Sequence, residues 1–315
     1  MVNYKNYKQI YNDLILQRAA SLIIRYDCLT STYTYDSFSH DNTPTCTEDL
    51  IQLIINDMVF YAFSEDEVLA DHEQFGLLDN LHDAAKFACT RIPRRDNNVQ
   101  QDGTTGEILL DILIQILEPE AHKLIARAKY KQFGDVGQEI KGYDALYFTN
   151  YNNEVSLYLG QVKTGAHDTC RAGLKNDLET KYVKDYFCRS MFYIADKSDN
   201  DHMLNAILKE LNRICFLSKK QYWSDDKKYD AIGNLLKRNN VKIKIPCLMV
   251  FSSNIYNGCN PIDIEVSKLV AKLVQYFDVK QFPVLPNLES EIDFLIFPVK
   301  SIETIREKIC EFRKE

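Results

Sequence analysis

Residues 141–163 read KGYDALYFTNYNNEVSLYLGQVK, and the fold turns on how this stretch is understood. It reads as a β-hairpin. Gly142 to Phe148 is one strand, rich in aromatics, and Val155 to Lys163 is the returning strand. Between them Thr149-Asn150-Tyr151-Asn152-Asn153 supplies turn chemistry. Side chains alternate along a strand, so Leu157, Leu159, Gln161 and Lys163 share one face. That row starts apolar and ends in an amide and a charge. One strand earlier, Asp144 stands among Tyr143, Ala145, Leu146, Tyr147 and Phe148. A carboxylate in such a run costs free energy unless it is paired or ligates a metal. In register, the hairpin brings Asp144 beside Gln161 and Lys163. The pattern is an acid, sixteen residues, then Gln-Val-Lys.

Upstream of the hairpin the sequence reads as helical. Residues 3–27 carry apolar positions at Leu14, Leu16, Leu22, Ile23 and Ile24, while 28–46 are polar and read as a loop or irregular hairpin. Thr47-Glu48-Asp49 opens a helix through Phe63, and Ser64-Glu65-Asp66-Glu67 repeats the cap-plus-acid signature before another. Leu77 to Cys89 continues helical, so the first ninety residues read as all-α. Arg91 to Gly106, with Pro93, Arg94, Arg95 and Gly103, is the internal boundary: 1–95 a helical region, 96–315 an α/β domain. Glu107 to Leu117 is a helix apolar nearly all round, hence buried. A short basic helix with Lys123, Arg127, Lys129 and Lys131 follows, then a first strand within 132–140.

Downstream, Leu174 to Ile194 reads as one long helix and Asp199 to Leu217 as another. Val241 to Ser252 and Ile292 to Val299 are buried strands, separated by an amphipathic helix over 261–277 and followed by a terminal helix over 302–312. Helices between strands in this order give an α/β fold with a mixed sheet.

The chain has 315 residues, is 45% hydrophobic and carries a net charge of −7. That length accommodates one large domain or two smaller ones. The charge argues against coating nucleic acid by bulk electrostatics, though not against a local basic groove or a partner that holds the nucleic acid. The nine cysteines include no C-x-x-C pair and no zinc-finger spacing. They read as reduced, mostly buried thiols of a cytoplasmic protein. The N-terminus lacks a signal-peptide core, and no uncharged apolar run is long enough for a membrane span.

Glu107, Asp144, Gln161 and Lys163 together make a set suited to phosphodiester hydrolysis. Oxygen ligands hold Mg²⁺, which activates water and neutralises charge on the phosphate. A lysine beside it orients the water or stabilises the equatorial oxygens. The backbone carbonyl of Val162 is a further oxygen donor. Against these, Asp144 also fits a backbone-bonded edge residue, Gln161 and Lys163 a solvated strand end, and Glu107 a helix N-terminal acid with Asp111 as its substitute. His72 and His82 read as structural, and His167 lies four residues beyond Lys163.

Asp144 followed by Gln161-Val162-Lys163, with Glu107 on the preceding helix, resembles the PD-(D/E)xK restriction-endonuclease-like nucleases. More closely, Gly106-Glu107-Ile108-Leu109-Leu110, Lys141-Gly142-Tyr143-Asp144-Ala145-Leu146 and Leu159-Gly160-Gln161-Val162-Lys163 are similar to the HamA family, the nuclease subunit of the Hachiman anti-phage system. Asp71 to Leu78 and Leu81 to Lys86 fit its N-terminal part. The resemblance implies a restriction-endonuclease-like mixed sheet flanked by helices and preceded by a helical region. It also implies a Mg²⁺-dependent deoxyribonuclease, with Mn²⁺ an alternative metal, that acts on DNA with a HamB-like helicase in the bacterial cytoplasm. By position, Asp144 is the central metal ligand, Glu107 an auxiliary ligand and Lys163 the catalytic lysine. Gln161 stands where the family pattern has Glu, offering an amide oxygen without charge. The alternative from another class is a non-catalytic subunit that binds and regulates the helicase.

Overall fold

A computed structural model describes residues 6–92, 103–126, 142–151, 154–198 and 204–314. The basic residues Arg94, Arg95, Arg127, Lys129 and Lys131, the strand expected within 132–140, the 95/96 boundary and the hairpin tip at Asn152 and Asn153 lie outside the described residues.

The N-terminal helices form as the periodicity predicts. They are α1 (Tyr7–Tyr11), a π-helical turn (Asn12–Leu16) and α2 (Gln17–Leu22), followed by α3 (Cys46–Ala62), α4 (Glu65–Phe75) and α5 (Leu81–Arg91). Ser64 caps α4 in a full capping box with Glu67, and Gly76 ends that helix at φ 68°. The first ninety residues are not all-α, however. They also contain β1 (Ile23–Arg25), β2 (Leu29–Thr30) and β3 (Thr34–His40). The sequence TYDSFSH hides β3 because its polar residues are buried against specific partners. Arg25 Nη2 pairs with Asp36 Oδ1 at 2.7 Å, the Tyr26 hydroxyl lies 2.8 Å from Ser39 Oγ, and the His40 ring stacks on Tyr256 at 4.1 Å.

The helix α6 (Thr104–Leu117) is buried along most of its length. Where the start of a basic helix was expected, the described residues form the short strand β4 (His122–Lys123). Lys123 faces inward, its side chain 5% exposed and 3.5 Å from Asp111 Oδ1, because two buried acids, Asp57 and Asp111, demand a cation. The hairpin is β5 (Ala145–Tyr151) and β6 (Glu154–Gly165). Beyond it come α7 (His167–Thr180), α8 (Lys184–Lys197), α9 (Asn205–Lys220), α10 (Asp225–Arg238), β7 (Val241–Ser252), α11 (Ile262–Phe277), β8 (Ser290–Val299) and α12 (Ile302–Lys314). The single helix expected over 174–194 is two, broken at Lys181-Tyr182-Val183. The fully buried Tyr182 hydroxyl donates to the Leu159 carbonyl at 2.6 Å, which draws the chain onto β6 at the break.

The sheet runs β1-β3-β8-β7-β6-β5-β4, with β2 paired to β3. β3, β8, β7 and β6 are parallel neighbours, and β5 and β4 continue antiparallel. This is a mixed α/β sheet with helices on both faces and a helical region ahead of it. One face buries α6, α12 and the N-terminal helices, the other α7 to α11. No described helix is long and apolar enough to cross a membrane.

Candidate active site

The β5/β6 register decides what can meet. Ala145 pairs with Gly160 and Leu146 with Leu159. Asp144, one residue before β5, is therefore level with Gln161. Its backbone N–H donates to the Gly160 carbonyl at 2.8 Å, and its Oδ2 accepts from the Val162 N–H at 3.0 Å. Alternation then puts Gln161 and Lys163 on the face of Leu157 and Leu159, which packs on α7.

Gln161 is completely buried. Its Nε2 donates to the Gly160 carbonyl at 2.9 Å, and its Oε1 accepts from the Lys181 ammonium. The Lys163 ammonium lies 2.6 Å from Asp177 Oδ2, and Lys181 Nζ lies 3.0 Å from the same oxygen. Asp177 is on α7, 5% exposed, and Lys181 follows one turn later. Lys181 is held in place by its backbone, since its carbonyl accepts from the Tyr143 hydroxyl at 3.1 Å. Asp177 and Lys181 thus join the predicted residues, and the sequence reading missed both. The signal was there: Asp177 falls on the Leu174–Leu178 stripe of α7, where an acid requires a buried partner.

Glu107 is placed differently. α6 packs on the opposite face of the sheet, and a Cβ on Gly106 would come within 2.9 Å of Val162 Cγ2. Glu107 is 5% exposed and its Oε2 accepts from the Tyr61 hydroxyl of α3. So Asp144, Gln161, Val162 and Lys163 come together on two adjacent strands, while Glu107 sits behind Val162, across the sheet from the Gln161 and Lys163 side chains. Asp111, its substitute, points toward Lys123.

The histidines divide as the sequence suggests. His72 Nδ1 accepts from the Leu78 N–H at 3.3 Å and His82 packs edge-on against Phe312. His167 borders a cleft of about 380 Å³ beside the ends of β6 and β7, lined also by Phe251, Ser252, Ser253, Asn254 and Asn260. The carboxyl ends of parallel strands are a usual place for ligands. Cys247, level with Gln161 on β7, is fully buried, and burial, reinforced by Asp177, holds its thiol well above the ordinary thiol range.

The donor set bears on a metal. Asp144, Gln161 and Asp177 present oxygens, which suit a hard divalent cation. Yet the Lys181 ammonium is on both Gln161 Oε1 and Asp177 Oδ2. Among the described residues no three His, Cys, Asp or Glu side chains are grouped to hold a metal ion. These residues fit an ammonium and not a magnesium cage. Chemically the site offers a lysine positioned by a buried carboxylate, beside a second carboxylate anchored to the backbone.

The HamA family model matches residues 23–312. No curated protein matches the chain.

Proposed function

Because the chain belongs to the HamA family, and so to the Hachiman-related anti-phage proteins, we propose that it is the nuclease subunit of such a system, hydrolysing DNA phosphodiesters in the cytoplasm alongside a HamB-like helicase. One observation carries this reading. The β5/β6 register sets Asp144 level with Gln161, with its carboxylate on the Val162 N–H and Lys163 two residues on. An acid and a lysine fixed on adjacent strands are the core of a phosphodiester-cleaving site.

In this reading Lys163 stabilises charge on the scissile phosphate, and Asp177 keeps its ammonium aimed. The aliphatic stem of Lys163 rests on Gly173, so few rotamers are open to it. Asp144, tied to the Val162 amide, orients the attacking water. Mg²⁺, or Mn²⁺ in its place, is the proposed cofactor; no step is routed through it, since Lys181 occupies two of the oxygens it would use. A chain of net charge −7 grips DNA poorly by itself, which is the motive for a helicase partner that delivers the strand.

Plasmid cleavage by the purified chain, with and without helicase and ATP, in Mg²⁺, Mn²⁺ or EDTA, tests the reading. Metal-dependent cutting that disappears in Lys163→Ala and Asp144→Ala supports it. Parental rates in both variants would overturn the site. The second reading, a non-catalytic subunit that binds the helicase, draws on the neutral and fully buried Gln161. Intact helicase binding with no cutting under any condition would favour it.

A further inference from the structure

Between residues 205 and 238 there are eight Lys and Arg against four Asp and Glu, in a chain whose net charge is −7. This basic stretch is α9, α10 and the turn that joins them, Gln221-Tyr222-Trp223-Ser224. The acids at the head of α10 are engaged: Asp225 takes the Lys228 ammonium at 2.7 Å and Asp226 that of Lys184 at 2.5 Å. Lys219 and Lys220, which end α9, have no acidic partner among the described residues. Large rings stand open among these lysines. Tyr222 is 92% exposed, and Phe216, one turn before Lys220, is 64% exposed. Single apolar residues scattered on a surface are ordinary, but rings clustered with uncompensated lysines mark a binding surface. The turn is also firmly built. Tyr222 holds φ at 51°, a left-handed conformation that bulky residues rarely adopt. The Trp223 backbone N–H donates to the Ser218 carbonyl at 3.0 Å, and its indole N–H donates to Gln221 Oε1 at 2.8 Å. The Lys227 ammonium lies 4.3 Å over the Trp223 ring.

We propose that the α9–α10 turn is a platform for single-stranded DNA, on which bases stack against Tyr222 and Phe216 while Lys219, Lys220 and Lys227 hold the phosphates. Unpaired bases present flat faces to exposed rings, whereas a duplex hides those faces and offers only its backbone and groove edges. The lysines make the surface complementary to a polyanion. A net charge of −7 does not prevent this, because three clustered lysines act on a bound strand from within a Debye length. Only the choice of DNA rests on the nuclease reading above. The platform belongs to the helical layer on the face of the sheet that carries Gln161 and Lys163. Tyr229 and Ile232 of α10 share a core with Leu157 and Leu159 of β6. Lys184, which binds Asp226 at the head of α10, follows Lys181 by three residues. A strand held on the turn is thus anchored on the same face as the candidate active site but outside it. A helicase is the kind of partner that supplies such a strand unpaired.

Trp223 is the only tryptophan of the chain, so its fluorescence reports on this turn alone. The test is titration of a short oligothymidylate into the full chain in EDTA, which keeps metal-dependent cutting out of the measurement. Saturable quenching is expected. Log affinity should fall against log salt with a slope of about −2, as three phosphate contacts on a single strand require. Tyr222→Ala and Tyr222→Gly are expected to weaken binding about fivefold or more, and Tyr222→Phe to bind as the parent does. Glycine suits the φ of 51°, so that variant separates loss of the ring from backbone strain. Lys219→Gln combined with Lys220→Gln is expected to bring the slope to about −0.7. Absence of quenching, parental affinity in both the alanine and the glycine variants, or equal quenching by a blunt duplex of the same length would each overturn the proposal. Failure here is separable from failure of the nuclease reading. Plasmid cutting that is lost in Lys163→Ala, without quenching at Trp223, keeps the nuclease and removes the platform. Quenching without cutting under any condition keeps the platform and removes the nuclease.

Discussion

Gly173 lies against the stem of Lys163: a side-chain carbon on Gly173 would sit 3.0 Å from Lys163 Cδ and 3.1 Å from Cε. A glycine inside α7 costs about 1 kcal/mol of helix propensity relative to alanine, so the gap it leaves has a use. It lets Lys163 run flat along the helix and reach Asp177. Gly173→Ala is expected to hold or raise the melting temperature while slowing plasmid cleavage several-fold. Gly173→Val should slow it further. A purely structural role for Lys163 would leave cleavage untouched in both, which is the result that would count against the site.

Lys123 answers two buried acids from β4. Burial lifts the carboxyls of Asp57 and Asp111 above the usual carboxylate range, Asp111 pushes Asp57 further up, and Lys123 eases both. The ammonium also bonds the Phe60 carbonyl, tying α3 to the sheet. Removing one member of such a set leaves uncompensated buried charge, at a cost of roughly 3–5 kcal/mol. Lys123→Met should lose about that much in urea unfolding, and adding Asp111→Leu should restore most of it. A loss below about 1 kcal/mol would show that the ammonium does not hold these helices together.

His40 sets a pH dependence whose sign follows from its bonds. Its Nε2 accepts from the Lys300 N–H at 2.9 Å and its Nδ1 faces the Asp41 carbonyl at 2.7 Å, which fits the neutral ring. Burial, with Lys300 nearby, lowers its pKa below the ordinary histidine value, while Asp41 opposes the shift. A group depressed on folding contributes stability that is present above its unfolded pKa, near 6.5, and is lost as pH falls below that value. Asp293 acts with the opposite sign. Burial raises its carboxyl to about 6, so acidification relieves a penalty there. The difference between parent and His40→Gln isolates the histidine. From pH 7.5 to 5.5 the parent should lose more stability than the variant, and parallel losses would remove His40 from the account.

How much was legible follows from which residues carry local periodicity. The hairpin, β7, β8 and the pairing of Asp144 with Gln161 follow from alternation, because a period of two fixes which side chains meet once a register is set. Ser64 and Glu67 announce α4 for the same local reason. What stayed hidden is tertiary. β3 is buried by an arginine, a tyrosine hydroxyl and an aromatic stack supplied from elsewhere in the chain. Lys123 reads as part of a basic surface until Asp57 and Asp111 are placed beneath it. Asp177 falls on the apolar stripe of α7 and so calls for a buried partner, but only the packing of that helix on β6 shows that it and Lys181 meet Lys163 and Gln161. The break between α7 and α8 depends on Tyr182 bonding β6, a contact with no local signature.

Gln161→Glu brings these threads to one residue. The side chain is fully buried, with its Oε1 on Lys181 and its Nε2 donating to the Gly160 carbonyl at 2.9 Å. Glutamate cannot donate, so it sets a carboxylate oxygen against that carbonyl and loses a hydrogen bond worth about 1 kcal/mol. In return its charge meets the Lys181 ammonium directly, a charge-assisted bond worth about 1.5–3 kcal/mol. The two effects oppose one another, so thermal stability should change little. Divalent affinity should not be so balanced, because the substitution adds a negative charge next to Asp177. Mn²⁺ binding is expected to tighten if this side chain faces a cation. Binding that weakens in Gln161→Glu would mean that the amide oxygen faces no cation site and that residue 161 serves only to seat Lys181.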